Sequence, residues 1–224
     1  MKQSSPEMLR SFGRRHGRKL RANRAAMVET LLPKLLINLP PENLFKDTTR
    51  PLWFEIGFGG GEHLAEQARL HPEVNFIGCE PYVNGMATLL SAIERERLAN
   101  IRLYDNDARL LLGELSDNSI ERMFILFPDP WPKVRHHKKR IISQGSLPLF
   151  HRKLKAGGLL RIATDHEDYC TWILENLLAY GKFSWQAKSQ VDWHTPPENW
   201  VTTRYQAKAA AEGRKAVFLD WIKH

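Results

Sequence analysis

Cysteine is almost missing from this chain. Cys79 and Cys170 are the only two, too few and too far apart for a disulfide framework or a zinc site, which favours a reducing interior. No apolar run approaches the ~18 residues of a membrane span, and the N-terminus is polar and basic without the apolar segment of a secretory signal. The expected location is therefore cytoplasmic, with no membrane and no metal among the partners. Acidic residues are scarce in two places. Residues 1–24 hold Lys2, Arg10, Arg14, Arg15, Arg18, Lys19, Arg21 and Arg24 against Glu7 alone, and Lys133, Arg135, Lys138, Lys139 and Arg140 follow one another with no acid between them. Because the formal net charge is +8, the rest of the chain is net acidic. Two basic patches on an acidic body point to a polyanionic partner.

What remains is enough for one sizeable α/β core with additions: 224 residues, 42% of them hydrophobic, with no internal repeat. Residues 1–50 read as a basic arm followed by a short helix over Ala25 to Leu39, interrupted at Pro33 and ended by Pro40-Pro41. From residue 51 the apolar pattern alternates between strand and helix. Strands are expected at Leu52 to Ile56, Val74 to Cys79, Ile101 to Tyr104, Ile120 to Phe127, Leu159 to Ala163, Trp185 to Gln190 and Ala216 to Trp221. Helices are expected at Glu62 to Leu70, Gly85 to Leu98, Ala108 to Leu115, Ile142 to Leu154 with an interruption near Pro148, and His166 to Tyr180, with an irregular stretch from Asp192 to Arg204. This rhythm implies a doubly wound, mostly parallel seven-stranded sheet with helices on both faces.

The chain is organised around Leu52-Trp53-Phe54-Glu55-Ile56-Gly57-Phe58-Gly59-Gly60-Gly61-Glu62-His63. An apolar strand runs into Gly57, Gly59 and Gly61, which permit a sharp turn and a close approach of ligand to backbone, and then into a helix whose first N–H groups are free. The dinucleotide pattern G-x-G-x-x-G needs glycine at position 62, which is Glu62, and no Gly-Lys-Ser/Thr follows to hold a triphosphate. Glu55 instead precedes the glycines in the order E-x-G-x-G-x-G. An acid there repels a pyrophosphate and suits a cationic amino group. The motif resembles the first motif of class I S-adenosylmethionine-dependent methyltransferases, which implies their Rossmann-like α/β fold, with residues 51–224 as the catalytic domain, and S-adenosylmethionine as cofactor.

In an open α/β sheet the ligand lies beyond the carboxyl ends of the strands. Acids stand at or just after five of those ends: Glu55, Glu80, Asp107, Asp129 and Asp165. A single one would read as a helix cap or a solvated loop residue, but five on one edge read as a site. Glu80 suits the two ribose hydroxyls, Asp107 an adenine amino group with Ala108 leaving room for the ring, and Glu55 the methionine ammonium.

After the fourth strand comes Phe127-Pro128-Asp129-Pro130-Trp131-Pro132-Lys133. Its three prolines fix the backbone and hold Asp129 and Trp131 in set directions. Enzymes that methylate adenine amino nitrogens commonly carry Asn/Asp-Pro-Pro-Tyr/Phe at this place; this chain does not. Together with the basic run Arg135-His136-His137-Lys138-Lys139-Arg140, with Ser11 to Arg18, with Ala163-Thr164-Asp165 and with Thr202-Thr203-Arg204-Tyr205, the stretch resembles the bacterial tRNA (guanine-N7-)-methyltransferases over nearly the whole chain. The resemblance implies methylation of guanosine 46 in the variable loop of tRNA. It assigns Glu55, Glu80, Asp107 and Asp129 to the cofactor, and Asp129 also to catalysis. Lys133, Asp165, Thr203, Arg204, Tyr205 and Gln206 go to the substrate, and Arg135, His136, His137, Lys138, Lys139 and Arg140 to RNA, joined by Arg14, Arg15 and Arg18 of the arm. The family usually has glutamate where this chain has Gln206, a change that keeps a hydrogen bond but not a charge.

Guanine N7 offers a lone pair and has no proton to lose, so methyl transfer there needs alignment and a way to accommodate positive charge on the ring. Asp129 either stabilises that charge or grips the N1–H and amino edge of the base, as Asp165 also can. A target base must leave its stack, and Trp131 or Tyr205 offers a ring for it. Two other readings compete: the same fold and cofactor with a different acceptor, and a non-catalytic RNA-binding protein on a methyltransferase fold.

Overall fold

A computed structural model describes residue 13 and residues 15–224; Arg14 lies outside the described residues. Among these, seven strands form one sheet: β1 (Leu52–Ile56), β2 (Asn75–Cys79), β3 (Ile101–Tyr104), β4 (Ile120–Leu126), β5 (Leu154–Thr164), β6 (Phe183–Trp185) and β7 (Val217–Lys223). Their order is β3-β2-β1-β4-β5-β7-β6. The first five run parallel, and β7 is antiparallel to both β5 and β6. Adjacent residues along a strand project to opposite faces, and both faces are covered. Phe54, Ile77, Met123 and Ile125 enter one buried apolar cluster, whereas Trp53, Phe76, Phe124 and Leu126 enter the other. Apolar residues on both faces are what forces these strands into the middle of the molecule.

The helices are α1 (Ala22–Thr30), α2 (Leu32–Leu35), α3 (Glu62–Leu70), α4 (Val83–Glu96), α5 (Ala108–Glu114), α6 (Leu147–Lys153), α7 (Glu167–Tyr180), α8 (Gln190–His194) and α9 (Arg204–Ala211). Chain order reverses between β1 and β4, so the carboxyl ends of those strands open a crevice, where such sheets bind ligands.

Four elements differ from the sequence pattern by more than two residues, each for a local reason. The sixth strand is Phe183–Trp185 rather than Trp185 to Gln190, because Ser189 and Asp192 form a reciprocal capping box that starts α8. The helix expected from Ile142 starts only at Leu147; Ser143 and Ser146 bond to each other, and Pro148 sits in the first turn, where proline is tolerated, instead of interrupting the helix. The strand expected from Leu159 begins at Leu154, across a register shift against β4. The Ala25 to Leu39 helix is two short helices, after which Ile37 donates to the Leu103 carbonyl at 2.8 Å and extends the sheet edge.

The described part of the arm lies on the body. Val83 donates to the Arg15 carbonyl (2.9 Å), Gly17 to Asn84 Oδ1 (2.9 Å), and Asn84 Nδ2 to the Arg18 carbonyl (2.7 Å). A Cβ on Gly17 would stand 2.2 Å from the Tyr82 hydroxyl oxygen, so a larger residue there would have to displace that side chain. No helix among the described residues is long and apolar enough to cross a membrane.

Candidate active site at the strand ends

The crevice holds a cavity of about 440 Å³, walled by Gly57 and Gly59, by Glu80, Asp107 and Ala108, by Asp129 and Trp131, and by Tyr205. That is the size class of small-molecule sites. Gly59 shows why the loop is glycine: its φ is +56°, and a Cβ would stand 2.6 Å from the Tyr205 ring. Its N–H donates to Glu80 Oε2 (2.8 Å) while the Tyr82 N–H donates to Glu80 Oε1 (2.9 Å), so one carboxylate ties the first loop to the start of α4. Gly85 makes the same seam from the other side, since a Cβ there would lie 2.0 Å from the Gly59 carbonyl oxygen. The sequence reading missed Gly85, whose only signal was a glycine in the opening turn of a helix. Gly61 caps α3 and faces Leu89 of α4, outside the cavity wall.

Glu55 is set back from the cavity. It shares a face of the sheet with Trp53, is buried (3% exposed) and pairs through Oε2 with His63 Nδ1 of α3 at 2.7 Å. It is absent from the cavity wall, so the expected contact with the methionine ammonium has no support in this placement. Burial raises the Glu80 carboxyl above its ordinary range; the two backbone N–H bonds counter this, and the charges of Asp129 and Glu55 add to it. Asp107 caps α5 and chelates Arg109, with Nε at 2.9 Å from Oδ1 and Nη2 at 2.6 Å from Oδ2. Burial alone would raise the Asp107 carboxyl, but the bonds from Arg109 outweigh it and hold it low.

Asp129 is held differently. It accepts no hydrogen bond from the described residues; it is open to water, yet the cavity around the carboxyl desolvates it enough to raise its pKa. Its loop is unusual: Phe127 and Trp131, on either side of Pro128-Asp129-Pro130, have φ of +50° and +44°. Bulky residues adopt that region at a cost of roughly 1–2 kcal/mol each. Phe127 is tied by its N–H to the Ala163 carbonyl (2.8 Å), and the Trp131 ring packs against His136 and under Lys139 Nζ, 4.5 Å from the ring centroid.

The expected substrate residues divide. Tyr205 lines the cavity over Gly59. Thr203 is the cap of α9, Arg204 pairs with Glu62 (2.6 Å), and Gln206 Oε1 accepts from Trp200 Nε1 (2.6 Å), which gives the glutamine a brace for α9 that a glutamate could also make. Asp165 accepts from Arg214 Nε (2.7 Å) outside the cavity wall. The basic run divides too. Lys133, Arg135 and Lys138 are exposed, and Lys139 reaches the cavity. His137 is partly buried against Trp172, and Arg140 is buried, a correction to its expected contact with RNA. In the arm, Arg15 Nη2 donates to the Asp105 carbonyl (3.1 Å), and Arg18 is exposed.

A family model described as "Putative methyltransferase" matches residues 49–219. The tRNA (guanine-N(7)-)-methyltransferase of Agrobacterium fabrum is 48% identical over 95% of this chain and 94% of its own length; that of Rhodospirillum rubrum is 43% identical over 98% and 89%. This chain belongs to the tRNA (guanine-N(7)-)-methyltransferase family. Fold neighbours alone would not have decided it. The 16S rRNA methyltransferase KamB superposes with a TM-score of 0.61 at 12% identity, covering 84% of this chain and 98% of that one. The cyclase SpnF gives 0.54 at 14% identity, covering 78% and 74%. One scaffold thus carries different chemistries.

The cavity suits the family's cofactor, S-adenosylmethionine. Its walls pair apolar Ile56, Cys79 and Leu126 with the carboxylates of Glu80, Asp107 and Asp129, a donor set that fits ribose, a purine and a sulfonium and would oppose a pyrophosphate.

Proposed function

We propose that this chain methylates N7 of guanosine 46 in tRNA, with Glu80, Asp107, Ala108 and the glycine loop holding S-adenosylmethionine and Asp129 facing the acceptor base. The observation that carries the reading is the placement of Asp129: it shares one cavity with Glu80 and Asp107, and no described residue bonds its carboxylate. When bound, the cofactor supplies an electrophilic methyl group on a sulfonium. The N7 lone pair would form the new C–N bond as the methyl–sulfur bond breaks and its electron pair stays on sulfur, leaving a neutral thioether; no base is needed. Asp129 then either offsets the positive charge arriving on the purine or holds its N1–H and amino edge; both uses require the carboxylate to be ionised and unspent. Tyr205 offers a ring at the cavity mouth for the extruded base, and Lys133, Arg135 and Lys138 offer exposed charge for the phosphates around it. A tRNA substrate supports the cytoplasmic location expected from the sequence.

The test is to incubate the protein with unmodified tRNA and labelled cofactor and to map the modified nucleoside. Label is expected at guanosine 46 as 7-methylguanosine. A tRNA with 7-deazaguanosine at that position keeps the Watson-Crick edge and stacking face, so it should bind almost normally and accept no methyl group. Methylation of the deaza nucleoside would move the acceptor to another atom.

A further inference from the structure

The basic run Arg135 to Arg140 reads as one RNA-facing stretch, yet its last residue points the other way. A 3-10 turn carries Val134–Lys139, and Arg140 follows in extended geometry with its side chain wholly buried. Nε donates to the Pro130 carbonyl (2.8 Å), Nη2 bonds the Asp168 carboxylate, and the guanidinium lies 5.0 Å and 4.9 Å from the ring centroids of Tyr169 and Trp172. Nη1 is also buried and has no hydrogen-bond partner among the described residues. Leaving a guanidinium donor unpaired inside a protein is costly, so stability alone is a poor reason for an arginine here.

The carbonyl it grips belongs to the residue after Asp129. Three prolines restrict the loop's torsions but remove every second N–H donor, and two bulky residues hold left-handed conformations, so few main-chain bonds are left to hold the loop against its surroundings. Its upstream end is tied to β5 through Phe127. Arg140 ties the downstream side to α7. We propose that Arg140 is the positioning residue for Asp129, with Asp168 as its charge partner and the Tyr169 and Trp172 rings as its seat, and that it makes no contact with RNA. The proposal rests on Asp129 facing the acceptor.

Arg140→Met should lower the single-turnover methylation rate by roughly 100-fold at saturating tRNA, with the salt dependence of tRNA binding unchanged, because no phosphate contact is lost. Arg140→Lys keeps the charge without the planar fork that spans Pro130 and Asp168, so it should fall nearly as far. Asp168→Asn should cost several-fold, and Asp168→Glu should restore most of that. If Arg140→Met fails to fold, Arg140→Lys and the exposed Asp168 variants decide: full rates in both Arg140→Lys and Asp168→Asn overturn the proposal. So does a folded Arg140→Met whose rate is normal at saturation and whose log-log salt slope has dropped by the ~0.7–0.9 of one phosphate. Asp129→Ala is run in parallel. A normal rate there removes the reading of Asp129 itself, whereas a slow Asp129→Ala beside a fast Arg140→Met removes only the brace.

Discussion

On the side of the cavity proposed for the cofactor, Glu80 accepts from the main chains of Gly59 and Tyr82, and Asp107 accepts from Arg109. On the acceptor side, Asp129 accepts from no described residue, and the bond that anchors its loop is made to the neighbouring carbonyl of Pro130 instead. Glu80 and Asp107 are therefore part of the architecture around the ligand they are proposed to hold: each keeps a turn in shape and has lone pairs left over. Asp129 is presented rather than employed. A residue of the first kind cannot be removed without disturbing its loop; one of the second kind can.

That contrast is broken or upheld most decisively at Asp129. Asp129→Ala should reduce single-turnover methylation by about 10²–10³-fold, the usual loss when a preorganised electrostatic group is deleted, while cofactor affinity and Tm stay close to wild type. A variant that melted early would place Asp129 in the architecture after all, and one that lost cofactor affinity would make it a cofactor contact. Glu80→Ala should instead move two quantities together. Cofactor affinity should fall about 10–100-fold, equivalent to about 1–3 kcal/mol for lost charged hydrogen bonds, and Tm should fall too because Gly59 and Tyr82 lose their acceptor. Calorimetry and a thermal melt on the same sample separate the cases; reduced affinity with an unchanged Tm would make Glu80 a ligand contact only.

This contrast was only half legible in the sequence. Glu80 and Asp107 announced themselves by standing just past apolar strands, and the prolines around Asp129 announced a rigid loop. Glu55 sat in the same register of acids, but a single step of strand parity turns it to the face of Trp53, where it meets His63. Spacing along a strand says which face a residue takes only once its neighbours' faces are known. Arg140 was misread for a different reason: charge runs are read as solvated, and nothing in Arg-His-His-Lys-Lys-Arg marks the residue at which a 3-10 turn ends and the chain turns inward. Gly85 and the helix α9 were hidden because partners of theirs, Gly59 for the first and Glu62 for the second, are distant in the chain.

The basic surface gives a smaller effect. Replacing exposed Arg135 and Lys138 together with Ala should weaken tRNA binding roughly tenfold at moderate salt and flatten the log-log salt slope by up to about 0.7–0.9 per lost contact. Turnover at saturating tRNA should be nearly unchanged. An unchanged slope would mean that these side chains are simply solvated, and the contrast between Arg140 and its neighbours would lose its RNA-facing half.

The smallest effect concerns stability, and its sign separates the two sides of the cavity. The Asp129 carboxyl is raised from its ordinary value of 3.8, chiefly by desolvation, so the folded protein holds that proton more tightly than the unfolded chain. An ionised Asp129 therefore costs stability at neutral pH, and the cost fades as pH falls through the raised folded value. Asp107 is the opposite case: burial would raise it, but Arg109 holds it low. Its contribution is in place above the unfolded value and is lost as pH falls through the folded one. Asp129→Asn should accordingly raise Tm at pH 7. Solvent at the carboxylate screens the gain to something on the order of 1 °C. The gain should shrink toward zero as the pH of the melt is lowered through the raised folded value and toward the ordinary 3.8. Asp107→Asn should lower Tm at pH 7 and converge on wild type only in stronger acid. If Asp129→Asn lowered Tm at neutral pH, the carboxylate would be making a stabilising bond, and its availability to the acceptor base would be refuted.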